Sequence, residues 1–207
     1  MAVLIVTPRD DPAARQCAKW ADQLAARYGS EVVVLTPRRR SEVDEALVSG
    51  NHVLYFGHGV RDALIARKRL FKSEIRLADR DNLTGAQKRV VVAIACWSAE
   101  ELARLVTDPS NSTSVRCYVG WLDEVSWPND WRDPIGEALV ESLSLLFDGQ
   151  TVGDLRDELR LRFQAAHDTY RANAERRLPP GHARFAKMCA LYWAHRLFIE
   201  GDVTAVF

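Results

Sequence analysis

Short, unbroken apolar runs constrain the fold of this 207-residue chain more than any other feature of its sequence. Runs of strand length lie at 3–6, 32–35, 53–56, 90–95 and 115–119. Strands that are apolar without alternation are typical of a parallel sheet covered by helices on both faces. Helical patterns lie at 11–28, 41–48, 99–106 and 135–147, with another from Thr151 and a break at 178–181. With a last strand near 193–199, we predict an α/β fold of about six mostly parallel strands.

Composition excludes several classes of protein. The chain is 47% apolar and 27% charged, as in globular proteins with a core, and its 28 basic and 28 acidic residues cancel. Zero net charge gives no electrostatic argument for binding nucleic acid or a membrane surface, so we expect neither partner. The N-terminus lacks the pattern of a signal peptide, and no apolar run approaches the roughly 20 residues that span a bilayer. Four scattered cysteines without CxxC spacing favour a reducing cytoplasm.

The chain shows no internal repeat, low-complexity segment or linker, so we interpret 1–207 as a single domain. The charged stretch 61–82 has only short apolar interruptions. We interpret it as an irregular excursion or a small hairpin outside the core.

Two of the apolar runs lead into a reactive side chain. His58, between two glycines, follows the run 53–56, and Cys96 directly follows the run 90–95. Ligands bind beyond the carboxyl ends of parallel strands, so both side chains belong to that edge if the strands are neighbours. A thiol attacks an amide as thiolate, and an imidazole can take its proton and return one to the leaving amine. We therefore predict Cys96 as nucleophile and His58 as general base.

Neighbouring residues add to this prediction. Ser98-Ala-Glu-Glu101 matches a capping box, which would start a helix directly after Cys96 and favour its thiolate. Gly59 would let the backbone approach a substrate carbonyl. The N–H groups of Gly59 and Cys96 are the predicted oxyanion-hole donors, each worth about 3–4 kcal/mol. The other cysteines and histidines are interpreted as structural or solvated.

These motifs, in this order, resemble the caspase-like (clan CD) cysteine peptidases, most of all their CHAT-domain branch. The resemblance is carried by LYFGHG at 54–59, VVVAIACWSA at 90–99, VRCYVGWLDEVSW at 115–127, LLFDGQTVGDL at 145–155 and YWAHRLFIEGD at 192–202. It covers nearly the whole chain. It implies a caspase-like three-layer sandwich and an endopeptidase with a His58/Cys96 dyad and no obligatory third residue.

The resemblance also bears on substrate and control. In the family, the pocket for the P1 side chain borders the turn after the fifth strand, which here holds Trp121, Asp123 and Glu124. A carboxylate there would select a basic P1 residue, with Asp123 the first candidate and Glu124 the second, unless both are solvated loop acids. The ACWS context differs from the QACRG signature, so aspartate specificity does not carry over. Control by a separately encoded regulatory protein or by cleavage is expected, in prokaryotic defence or regulated cell death.

Two other readings remain open. The chain could be a catalytically silent caspase-like scaffold that binds other proteins, or a Rossmann-like nucleotide-binding module. The second is disfavoured because GxGxxG does not follow the first strand and GxxxxGK[ST] does not occur. GxSxG is also absent, which disfavours a serine hydrolase, and the Cys and His residues lack zinc-ligand spacing. No metal or other cofactor is expected.

Overall fold

The computed structural model describes residues 3–49, 52–68, 73–84, 89–111 and 113–207. Its strands are β1 (Val3–Val6), β2 (Val32–Leu35), β3 (His52–Phe56), β4 (His58–Val60), β5 (Ala63–Lys68), β6 (Ser73–Asp79), β7 (Val90–Ile94), β8 (Cys117–Trp121) and β9 (Leu197–Gly201). Its helices are α1 (Pro12–Tyr28), α2 (Arg40–Leu47), α3 (Arg80–Leu83), α4 (Leu102–Thr107), α5 (Asp133–Phe147), α6 (Val152–Arg177) and α7 (Pro180–His195).

Six of the strands form one sheet in the order β2-β1-β3-β7-β8-β9. The first five are parallel and β9 is antiparallel to β8. The remaining strands form a separate antiparallel sheet in the order β4-β5-β6. The predicted α/β fold with six mostly parallel strands is therefore confirmed.

The central strands β1, β3, β7 and β8 are buried on both faces, which explains their unbroken apolar runs, whereas the edge strand β2 exposes Val33 and Val34. In β7, Val90, Val92 and Ile94 face one apolar cluster, while Val91 and Ala93 face the other. The first cluster lies under α1, α5, α6 and α7. The second lies under α2, α3, α4 and the small sheet.

Most of the predicted helices begin and end within about two residues of the observed ones. Asp11 caps α1, and its side chain accepts the N–H of Ala14 at 2.8 Å. Thr151 caps α6 in a capping box with Asp154. The predicted break at 178–181 separates α6 from α7. Across the described ranges, we find no helix whose length and apolar character would let it cross a bilayer.

Two predictions about the fold are wrong. The stretch 61–82 does contain a hairpin, β5 paired with β6, but Ala63, Leu64 and Leu77 are buried, so it belongs to the core. Its short apolar interruptions include the buried runs 63–66 of β5 and 77–78 of β6, and 69–72 lie outside the described residues. The predicted strand 193–199 is also displaced, because α7 continues through His195 and the strand begins at Leu197.

Candidate active site

The carboxyl ends of β3 and β7 bring His58 and Cys96 to one cavity. The two strands pair in parallel, with Phe56 opposite Ile94, so the prediction that they are neighbours is confirmed. The pairing continues one residue further, where the N–H of Gly57 donates to the Ile94 carbonyl at 3.2 Å. Both His58 and Cys96 line a cavity of about 270 Å³. Gly59, Arg67, Trp97 and Glu124 also line it.

A carboxylate that the sequence prediction missed holds the His58 imidazole. Nε2 of His58 lies 2.6 Å from Oδ2 of Asp11, and both side chains are largely buried. Asp11 reaches this position because it follows β1, which pairs with β3 on the side away from β7. Burial would raise the pKa of Asp11, but the Ala14 N–H and the His58 imidazole outweigh it, so the pKa is lowered. The carboxylate is therefore ionised at neutral pH.

The sequence indicates where Asp11 lies in the fold but does not indicate its contact with His58. Asp11 before Pro12 is recognisable as a helix cap, and a cap at the carboxyl end of a strand belongs to the functional edge of the sheet. Its distance from His58 depends on the order of the strands, which the apolar pattern does not specify. The expectation of a dyad without a third residue therefore did not include Asp11.

The Cys96 thiol is partly buried and protonated at rest. Burial raises its pKa above the usual value, the Glu124 carboxylate adds to the rise, and the Arg67 guanidinium opposes it. Sγ lies 3.7 Å from the Val125 carbonyl oxygen, which accepts from the thiol. In the part of the chain that the structure describes, no hydrogen bond joins the thiol to His58, although both line the cavity. Catalytic hydrogen bonds are often long before substrate binds.

The chain turns sharply directly after Cys96. Trp97 has φ of 49°, and it is the one non-glycine residue with positive φ among those described. This left-handed conformation is strained for a residue with a Cβ. The N–H of Trp97 donates to the Asp123 carbonyl at 3.1 Å, which fixes the turn against the loop after β8. The indole is 36% exposed and forms part of the cavity wall.

This turn replaces the helix start that was predicted at 99, and the capping-box prediction is wrong. The Ser98 hydroxyl lies 2.9 Å from the Ala95 carbonyl and accepts the N–H of Trp121 at 3.2 Å. It therefore ties the end of β7 to β8 and does not cap a helix. α4 begins only at Leu102, and Glu101 at its N-cap makes no side-chain capping bond. The described geometry gives no helix terminus beside Cys96 to favour its thiolate.

Gly59 is required at its position by close packing within the protein. A Cβ on Gly59 would lie 2.4 Å from the carbonyl oxygen of Cys96 and 3.0 Å from the Cβ of Ala95. The close approach that demands glycine is therefore to the backbone of the protein itself. Gly59 lies opposite Leu64 in the antiparallel pair of β4 and β5, and packs β4 against the segment that carries Cys96.

Trp121 does not bind substrate, and its assignment to the P1 pocket is wrong. It is the last residue of β8 and is fully buried, with its indole N–H donating to the Trp193 carbonyl at 2.9 Å. The strand was predicted at 115–119 but runs from Cys117 to Trp121. This shift of two residues moves Trp121 from the turn into the core.

The two acidic candidates occupy different places. Asp123, the first candidate, does not line the cavity with Cys96, and its carboxylate lies 3.6 Å from Nε of Arg196. Glu124, the second candidate, does line that cavity. Of the two candidates, Glu124 is therefore the one that lines the cavity with Cys96.

Comparison with known proteins adds no family assignment, because no model of a protein family and no curated protein sequence matches the chain. Among the residues that the structure describes, no group of three or more His, Cys, Asp and Glu side chains is arranged to hold a metal ion.

Proposed function

We propose that this chain is a caspase-like cysteine endopeptidase that cleaves a protein substrate, with Cys96 as nucleophile and His58 as general base. One observation carries the proposal. The thiol and the imidazole line a single cavity at the carboxyl edge of two paired parallel strands. The sequence resemblance described above and the arrangement of the six-stranded sheet support a caspase-like sandwich as its scaffold.

The Asp11 contact defines which ring nitrogen of His58 carries the shared proton. An ionised carboxylate only accepts hydrogen bonds, so Nε2 carries the proton that it shares with Asp11. Nδ1 is then the free basic nitrogen, and it can take the proton of the Cys96 thiol. Because burial raises the pKa of that thiol, a base is needed at neutral pH. Asp11 acts through His58 and is a positioning residue.

The reaction follows from these roles. As His58 takes the thiol proton, the sulfur attacks the substrate carbonyl carbon and the C=O electrons move to oxygen. The oxyanion accepts hydrogen bonds from the N–H groups of Gly59 and Cys96. Its collapse breaks the C–N bond, and His58 gives its proton to the leaving amine. Water, deprotonated by His58, then hydrolyses the thioester and restores the thiol.

The cavity also supports a substrate preference. Glu124 brings a carboxylate to the cavity that holds Cys96, and a carboxylate there favours a lysine or arginine at P1 through a charge-assisted hydrogen bond. We propose Glu124, not Asp123, as the residue that selects P1. From its cysteine usage, the enzyme would act in a reducing cytoplasm. By resemblance, it would act under a separately encoded regulator or after cleavage.

Incubation of the purified chain with a mixed peptide library tests the proposal. We expect cleavage products from the wild type and none from Cys96→Ala or His58→Ala, with melting temperatures checked for each. His167→Ala is the matched control, because His167 also lies beside an aspartate, Asp168, but on α6 and outside the cavity that holds Cys96. Cleavage that survives in Cys96→Ala would refute the assignment. A folded wild type that cleaves nothing, even after limited proteolysis, would favour the silent scaffold.

A further inference from the structure

We infer that a groove beside the catalytic cavity binds a large apolar side chain of the substrate, which belongs to the same extended segment as the P1 residue. This inference rests on the proposed peptidase function. The groove measures about 310 Å³ and lies between α7 and the loop that follows β8. Asp123, Glu124 and Ser126 line it from the loop. Phe185, Met188 and Tyr192 line it from α7, and we call this site the α7 groove.

α7 has two apolar faces, and only one of them packs against the protein. Ala183, Ala186, Ala190 and other buried residues lie in the main core. Phe185, Met188 and Tyr192 are spaced by three and four residues, so they share another face of the helix. They are 47%, 45% and 42% exposed. Single exposed apolar residues are ordinary, but a cluster that lines a groove is typical of a binding site.

The groove and the catalytic cavity meet at Glu124, which lines both. In the described ranges, the carboxylate of Glu124 has no cation within ion-pair distance, whereas Asp123 pairs with Arg196 and Arg67 lies 3.9 Å from Glu74. An acid without a partner at the junction complements a basic side chain of the ligand. The occupant is therefore one extended peptide with a basic residue at Glu124 and a large apolar residue in the α7 groove.

The wall between the two sites is held in place before any peptide binds. The N–H of Leu122 donates to the Arg196 carbonyl at 2.9 Å, and the indole N–H of Trp193 donates to the Ser126 carbonyl at 2.7 Å. Trp127, further along the same loop, packs edge-on against Trp20 with ring centroids 5.1 Å apart. Because the groove is preformed, binding a peptide there costs little free energy for ordering the loop. Its volume, at the small end of the roughly 300–1,000 Å³ of ligand pockets, fits an apolar side chain better than a cofactor.

The test compares cleavage of the same mixed peptide library by the wild type and by the double variant Phe185→Ser, Met188→Ser. In the wild type, we expect large apolar residues to be enriched about tenfold at one position outside P1, since burying such a side chain is worth at least about 1.5 kcal/mol. The double variant should lose this enrichment and keep its P1 preference. Both replaced side chains are exposed, so the variant is expected to fold. Leu161→Ser on α6 is the control, because Leu161 is 65% exposed and does not line the groove.

The outcomes separate the two proposals. Library cleavage without apolar enrichment, or enrichment that survives in the double variant, overturns the α7 groove and leaves the peptidase function standing. A folded wild type that cleaves nothing, even after limited proteolysis, overturns both. A wild-type dimer that the double variant converts to a monomer would assign the groove to a second copy of the chain, and would also overturn the inference.

Discussion

Replacing Gly59 by alanine would disturb the packing of the active site at one defined point. The added Cβ would lie 2.4 Å from the Cys96 carbonyl oxygen, where ordinary contact begins at 3.4 Å. The backbone of Cys96 or of β4 must therefore move by about 1 Å to accept it. Neither neighbour is the flexible end of a long side chain, so the shift falls on the segments that carry His58 and Cys96.

The expected effect is large on activity and moderate on stability. A misplacement of about 1 Å in a catalytic constellation can cost about 100-fold in rate, equivalent to about 2.7 kcal/mol of transition-state stabilisation. Overpacking at a tight site costs about 1–3 kcal/mol of unfolding free energy. Gly59→Ala should therefore remain folded, while its kcat/KM on a library-derived peptide falls about 100-fold.

Urea unfolding and steady-state kinetics measure both quantities in the same preparation. Gly181→Ala is the control, because a Cβ at Gly181 would meet nothing within 4 Å. It should keep wild-type kinetics and equal or slightly exceed the wild type in stability, since Gly181 lies in α7 and alanine is the better helix former. If Gly59→Ala cleaves at the wild-type rate, the contact between β4 and the Cys96 backbone does not control the geometry of the site.

Four further predictions concern the residues around the imidazole and the thiol. Asp11→Asn should slow cleavage at least about tenfold, because a neutral amide replaces the charged carboxylate that accepts the hydrogen bond of the His58 imidazole. Folding lowers the pKa of Asp11, so its carboxylate stabilises the folded state. The wild type should therefore exceed Asp11→Asn in urea stability above about pH 4, and should lose that advantage as the pH falls through the lowered pKa. A stability difference that does not change with pH would contradict this prediction. Trp97→Gly should be more stable to urea than Trp97→Ala by about 1 kcal/mol, because φ of 49° suits glycine, and equal stability would argue against strain. The Glu124 carboxylate raises the pKa of the Cys96 thiol, so Glu124→Gln should shift the pH profile of Cys96 alkylation by iodoacetamide to lower pH. The Arg67 guanidinium lowers that pKa, so Arg67→Gln should shift the profile to higher pH. Unchanged profiles would show that neither charge acts on the thiol.

The parts of the fold that could be predicted are those in which local pattern and final environment agree. β1, β3 and β7 are apolar on both faces because helices or the small sheet cover both faces, so their runs are visible in the sequence. β2 is also visible as an apolar run, although its residues Val33 and Val34 are exposed at the edge of the sheet. The hairpin of β5 and β6 has short buried runs at 63–66 and 77–78 next to exposed charged residues, and this mixture resembled a solvated loop. Its place in the core depends on contacts with distant strands.

The candidate site shows the same division. His58 and Cys96 could be found because each follows a strong strand. Asp11 meets His58 only because β1 and β3 are neighbours. Ser98 fits a local capping motif, but its hydroxyl accepts the N–H of Trp121 in β8 and does not cap a helix. Contacts between elements that are distant in sequence determine the positions of Asp11 and Ser98.

The most direct test of the account is the reaction of Cys96 with an arginine-based acyloxymethyl ketone, which alkylates a catalytic thiol. Intact mass and peptide mapping identify the labelled cysteine, and the second-order rate constant measures its activation. The account predicts rapid labelling at Cys96, and a rate reduced by about 100-fold or more in folded His58→Ala. Labelling at the same rate in His58→Ala, or at Cys17, Cys117 or Cys189 in place of Cys96, would contradict it.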